Sequence, residues 1–141
     1  MSKKSLDKDN ITQYAYKDMS NEFGDKIKKQ RLLLGLSLRK VRESVNNEDG
    51  KSISVSYLND IEQGRRNPPT GKIIVQLANV LKLNLQELLN LAGKVDPVIE
   101  DMVSKEARVG VLFRRIAEHF ERDPSVVDRV NKELNKENEK K

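Results

Sequence analysis

The 141 residues contain no cysteine, no tryptophan and a single histidine. Without cysteine there are no disulfides, thiolate zinc sites or cysteine nucleophile, and one imidazole is too few for the usual metal or acid/base constellations. The composition therefore argues against an enzyme, and no cofactor or metal is expected. Aromatic residues are only 4% of the chain while charged residues are 35%, which suits one small helical domain with solvated appendages better than two full-sized domains. No apolar run approaches the roughly 18 residues of a membrane span, and the opening MSKKSLDKDN has no apolar core of a secretion signal. A cytoplasmic location without a membrane partner is the expectation.

The charge is unevenly placed. Residues 21–94 carry thirteen basic and eight acidic groups, whereas residues 95–141 carry ten and eleven. The whole surplus of the +5 chain thus sits in the middle, and a basic middle favours a polyanionic partner.

Periodicity and capping residues divide the chain. Residues 1–21 alternate charge with Asn, Ser and Tyr without a helical period and read as a flexible arm. From there, Phe23, Ile27 and Leu34 share the face of a first helix that Gly35 stops. Ser37 caps a second with Leu38, Val41 and Val45 inside, and Asn46–Ser52 (NNEDGKS) comes next as a turn or frayed end. Ser54 caps a third helix, with Leu58 and Ile61 inside and Gly64 to end it. Thr70 caps a fourth along Ile74, Leu77, Ala78 and Leu81, and Asn84 caps a fifth along Leu85, Leu88, Leu89 and Ala92. Residues 22–94 are thus predicted to form one all-α domain of five helices.

A further helical region, residues 95–137, opens at Asp96–Pro97, where an N-cap precedes proline at the first helical position. Val109, Leu112, Phe113, Ile116 and Phe120 form a wide apolar stripe, with Ala117 beside it. Asp123–Pro124 repeats the start signal before Val126, Val127, Val130 and Leu134, and residues 138–141 are a charged tail. So short a region cannot cover two stripes by itself. The first stripe is therefore expected to be a dimer interface or a partner-binding surface.

The pieces IKKQRLLLGLSLRKV, ISVSYLNDIEQGRRNPP and QLANVLKLNLQELLNLAG occur in an order that resembles the lambda-repressor/Cro-type helix-turn-helix domain of the xenobiotic-response-element family. The resemblance runs from Phe23 to Gly93. It implies a lambda-repressor-like five-helix fold binding double-stranded DNA, with the second helix across the backbone and the third in the major groove. It also implies a structural ion pair between Arg31 and Glu62.

With Leu58 and Ile61 inward, Val55, Ser56, Asn59 and Asp60 turn outward as candidate base readers. Asn59 suits adenine, Ser56 can donate or accept, Val55 can meet a thymine methyl, and Asp60 can accept only from a cytosine amino group. An ion pair with Arg65 is the competing use of Asp60. Arg65 and Arg66 match the family's phosphate-contacting loop, and Arg39, Lys40 and Tyr57 are further phosphate candidates.

Two departures from the family stand out. Seven residues separate Val45 from Ile53 where the family commonly has one, and Arg42 stands where it usually has a small residue. Either the second helix is longer and tilted, or Asn46–Ser52 makes a contact of its own. The expected function is a DNA-binding transcription regulator, a repressor working as a homodimer on an inverted repeat. The alternative is an antitoxin-like module whose last helices bind a partner protein, with DNA binding serving autoregulation.

Overall fold

Between Lys8 and Leu33 the chain forms helix α1, succeeded by α2 (Leu38–Arg42), α3 (Val55–Glu62), α4 (Gly71–Leu81) and α5 (Leu85–Ala92). Then come α6 (Pro97–Lys105), α7 (Ala107–Arg122) and α8 (Val126–Glu139). The computed structural model describes residues 8–140, with side chains from Asn21 onward. Among these residues there is no strand beyond one isolated bridge, so the fold is all-α. Compact packing divides the chain into two units, Met1–Pro97 and Val98–Lys141.

In the first unit, α1 packs on α3 and α5, α4 on α5, and α2 on α3. Their apolar stripes meet in one core of Phe23, Ile27, Val41, Val45, Ile53, Leu58, Ile61, Ile73, Ile74, Leu77, Ala78, Leu81, Leu88 and Leu89. The caps explain where the helices stop. Gly35, at φ +67°, lies beyond α1, where the Leu36 N–H reaches the Arg31 carbonyl and the Gly35 N–H the Leu32 carbonyl, as in a Schellman motif. Ser37, Ser54 and Asn84 each accept an N–H of the first turn they cap, at 3.0, 3.0 and 2.9 Å. Thr70 has the N-cap backbone conformation, but its hydroxyl makes no cap bond.

The fold departs from expectation at several places. The arm expected at residues 1–21 lies outside the described residues as far as residue 7; from Lys8 the backbone is already helical and runs into α1. No glycine or proline interrupts Lys8–Glu22, so nothing local stops the helix from extending upstream of its packed face. Leu34 is not on the buried face of α1, because it lies past the last turn and is 36% exposed; Arg31 holds the inward position one turn earlier. Helix α2 ends at Arg42, so it is shorter than expected, and Val45 is buried from the segment after it. The further helical region breaks at Glu106, whose carboxylate accepts the Arg108 N–H as the N-cap of α7. Helix α8 begins at Val126 instead of Pro124, and Asp123 ends α7. There the Asp123 carboxylate accepts from the Ser125 hydroxyl and from Arg129, and these bonds hold its pKa down at about 2. The expected charged tail is helical as far as Glu139, and Lys141 lies outside the described residues.

Of the two forms expected for Asn46–Ser52, a turn or a frayed helix end, the chain takes the turn. It is a small hairpin, closed by the antiparallel bridge between Asn46 and Ser52 and by the Ile53 N–H donating to the Val45 carbonyl at 3.0 Å. The Asn47 side-chain oxygen accepts from the Asp49 and Lys51 N–H groups at 3.0 and 3.1 Å, and Gly50 supplies the positive φ of +77° that a side chain would oppose. Gln76 of α4 grips the hairpin at Asn46, accepting from its N–H at 2.8 Å and donating to its carbonyl at 3.0 Å. Gln76→Ala is expected to leave the fold intact but to lower protection of the Asn46 and Ile53 amides in hydrogen exchange, with a stability loss of about 1–2 kcal/mol for the two bonds. Unchanged exchange at both amides would show that the grip holds nothing.

Candidate nucleic-acid interface

Helix α3 is presented rather than enclosed. Its eight residues follow the N-cap Ser54, held extended at φ −79°, ψ 153° with its Oγ bonded to the Tyr57 N–H. Leu58, Ile61 and Glu62 are buried, the opposite side carries Ser56, exposed, with Asn59 and Asp60 half-buried, and Val55, three residues before Leu58, is half-buried at the edge of the inner side. This division follows from the 3.6-residue period, which puts Leu58 and Ile61 on the inner side and Ser56 and Asn59 on the outer. Gln63, the exposed C-cap residue, shares that outer face. Its signal in the sequence is its spacing of seven residues from Ser56, two turns on.

The inner side is fixed by charge as well as by apolar packing. Arg31 of α1 donates from Nε and Nη2 to the two carboxylate oxygens of Glu62, both at 2.8 Å, and from Nη1 to the Leu36 carbonyl at 2.9 Å. Glu62 is 2% exposed and Arg31 9%. The hydrogen bond to Glu62 raises the Arg31 pKa above its ordinary value. Beside this pair the two helices touch backbone to backbone at Gly24, where a Cβ would lie 2.4 Å from the Ile61 carbonyl oxygen.

The loop after α3 folds back upon the helix. Gly64 (φ +73°) lets the Arg65 N–H bond the Asp60 carbonyl at 2.9 Å and its own N–H bond that of Ile61 at 3.1 Å. This Schellman turn places two exposed arginines over the last turn. Arg65 Nε lies 3.0 Å from Asp60 Oδ1 and Arg66 Nε 3.7 Å from Asp60 Oδ2. The Arg66 guanidinium also stands 5.3 Å from the centre of the Tyr57 ring, within reach of a cation–π attraction. Tyr57 itself packs partly against the core.

Arg39 and Lys40 are exposed on the first turn of α2, and Lys40 pairs loosely with Glu43 at 3.5 Å. With only five residues, α2 adds little dipole to whatever these side chains meet. The structure thus gathers Asp60, Arg65, Arg66 and Tyr57 into one cluster and sets Ser56 and Asn59 on the neighbouring face of α3, with Val55 at its inner edge. Arg39 and Lys40 stand apart from that cluster, on the helix before it.

An exposed helix face, capped at its start and bordered by arginines, on a helix braced by its predecessor α2, is the arrangement of a helix-turn-helix. Residues 27–88 match the family model described as helix-turn-helix. The chain carries a helix-turn-helix domain of the lambda repressor/Cro type. This domain is a DNA-binding module of transcription regulators, and the match spans α2, α3 and α4 whole. Searches of curated proteins and of solved structures returned no match. Among the described residues of this helix-turn-helix chain, no helix is long and apolar enough to cross a membrane, and no group of acidic or histidine side chains is arranged to hold a metal ion.

Proposed function

We propose that this protein is a sequence-specific transcriptional repressor acting as a homodimer on an inverted repeat. The observation that carries the proposal is the outward face of α3, where Ser56 and Asn59 stand beside the Arg65–Arg66 loop. In this reading Val55, Ser56, Asn59 and Gln63 meet base edges, Arg65, Arg66, Arg39 and Lys40 meet phosphates, and bound protein excludes RNA polymerase from the promoter. Two half-sites about one helical turn apart follow from the two-fold geometry. No cofactor takes part, and the place of action is the cytoplasmic nucleoid.

The dimer is supported by the second unit. Helix α8 packs on α7 with Val126 buried, yet Leu112, Phe113 and Phe120 remain 53%, 44% and 48% exposed beside half-buried Val109 and Ile116. Each such side chain contributes roughly 1.5–3 kcal/mol when removed from water, and a two-fold interface lets one stripe bury itself on its copy. The same exposure favours the second reading, an antitoxin-like module with a partner protein on this stripe.

The test uses the full chain. Arg65→Ala with Arg66→Ala is expected to weaken binding to all duplexes and to reduce the salt slope by about 0.9 per lost phosphate contact. Asn59→Ala is expected to cost roughly 1–3 kcal/mol at one base pair and to leave random DNA unaffected. A slope unchanged by the double replacement would remove the loop from the interface. Sedimentation of the full chain and of Leu112→Glu/Ile116→Glu decides between the two partners: a dimer that the replacement separates supports the homodimer, and a monomeric full chain favours the second protein.

A further inference from the structure

Asp60 has a position that base reading does not account for. Its carboxylate is turned back on the loop, with Arg65 Nε at Oδ1 and Arg66 Nε at Oδ2, 3.0 and 3.7 Å away. A cytosine amino group approaching it would compete with two guanidinium groups already in place. Arg65 is hydrogen-bonded through Nε, whereas Arg66 stands at ion-pair distance from the same carboxylate and is settled over Tyr57. Among the described residues the Nη1 and Nη2 groups of neither arginine donate a hydrogen bond to the protein. Those terminal N–H groups are the ones that form a fork on a phosphate.

We propose that Asp60 is a specificity-determining residue, holding the Arg65–Arg66 fork in place while cancelling part of its charge; this rests on the DNA-binding reading above. Two physical effects act in opposite directions. The carboxylate fixes the inner end of the Arg65 guanidinium by a hydrogen bond and draws that of Arg66, held over Tyr57, by charge alone, so less rotamer entropy is lost when a phosphate arrives where the tips already point. It also sets one negative charge against two positive ones, next to a phosphate backbone that repels it. Binding to random DNA is almost entirely electrostatic, so there the second effect dominates and Asp60 weakens binding. On the cognate duplex the pre-placed tips offset the lost charge. Asp60 therefore acts against wrong sequences more than it acts for the right one, and discrimination is set by that difference.

The experiment compares wild type, Asp60→Asn and Asp60→Ala on two probes across a salt series. One probe is a random-sequence duplex, the other a duplex recovered from genomic fragments by selection on the wild-type chain. Both replacements are expected to tighten random-duplex binding roughly three- to tenfold and to steepen its salt slope by about 0.9. Affinity for the selected duplex should change less, so the ratio between the probes shrinks. In the Arg65→Ala/Arg66→Ala background Asp60→Asn should have no effect on the slope, as a double-mutant cycle requires of coupled groups. Asp25→Asn removes the same charge from an exposed position on α1 and should leave the slope alone.

Random-duplex binding that Asp60→Asn leaves unchanged or weakens would overturn the proposal. So would equal effects of Asp25→Asn and Asp60→Asn, or an Asp60→Asn effect that persists without the arginines. In each of these cases wild type still prefers its selected duplex and the DNA-binding reading stands. If wild type binds no duplex even at low salt, that reading fails and this proposal falls with it.

Discussion

Arg31→Ala is expected to cost about 3–5 kcal/mol of folding free energy, because it leaves a carboxylate buried without its counter-ion. Glu62 is 2% exposed and gives both oxygens to Arg31, at 2.8 Å each. Water cannot replace the lost donors without opening the α1–α3 contact. The Leu36 carbonyl loses its Nη1 donor as well, so the turn into α2 weakens together with the helix crossing. Domains of this size hold about 5–15 kcal/mol in total, so the variant should be largely unfolded in mild denaturant. Arg31→Met combined with Glu62→Leu is expected to recover most of the loss, since an apolar pair leaves no stranded charge. Urea midpoints of the two variants check this: a single replacement no less stable than the double would mean that Glu62 finds water after all.

Gly24→Ala should destabilise the protein despite improving a helix. Exchanging glycine for alanine inside a helix normally gains about 1 kcal/mol. Here the new Cβ would sit 2.4 Å from the Ile61 carbonyl oxygen and 2.8 Å from that of Glu62. Both obstacles are backbone, so relief requires α1 and α3 to move apart and to loosen Phe23, Leu58 and Ile61 together. Forced overpacking of a well-packed site costs about 1–3 kcal/mol and sometimes more, so the clash outweighs the helix gain. Because α3 is the element that shifts, DNA affinity should fall along with the melting temperature. A variant that melts at or above the wild-type temperature would show that the crossing has slack.

The five helices of the first unit are legible from the chain because their signals are local. Ser37, Ser54 and Asn84 each cap the helix that starts next to them, Gly35 and Gly93 close the helices before them, and Ile74, Leu77, Ala78 and Leu81 recur at the helical period. The outward side of α3 comes from the same arithmetic once Leu58 and Ile61 are placed inside. The features that escape such reading depend on atoms far away along the chain. Gly24 looks like an ordinary weak spot in α1 until the α3 backbone is brought against it. NNEDGKS looks like a turn because its seven polar residues show no alternation. Its order comes from Asn47 bonding across the loop and from Gln76, thirty residues on. The orientation of Asp60 is equally hidden, because whether a carboxylate faces bases or arginines depends on how the chain returns after Gly64.

The hairpin begins and ends at almost the same place. Val45 and Ile53 are both buried and joined by one backbone hydrogen bond, so α2 and α3 are held by the two ends of a detour and take no account of its length. Closing a longer loop costs little, about 0.6 kcal/mol for each doubling. The interval between Asn47 and Lys51 is therefore a socket in which the chain can be lengthened, shortened or given a foreign peptide while the two helices keep their mutual position.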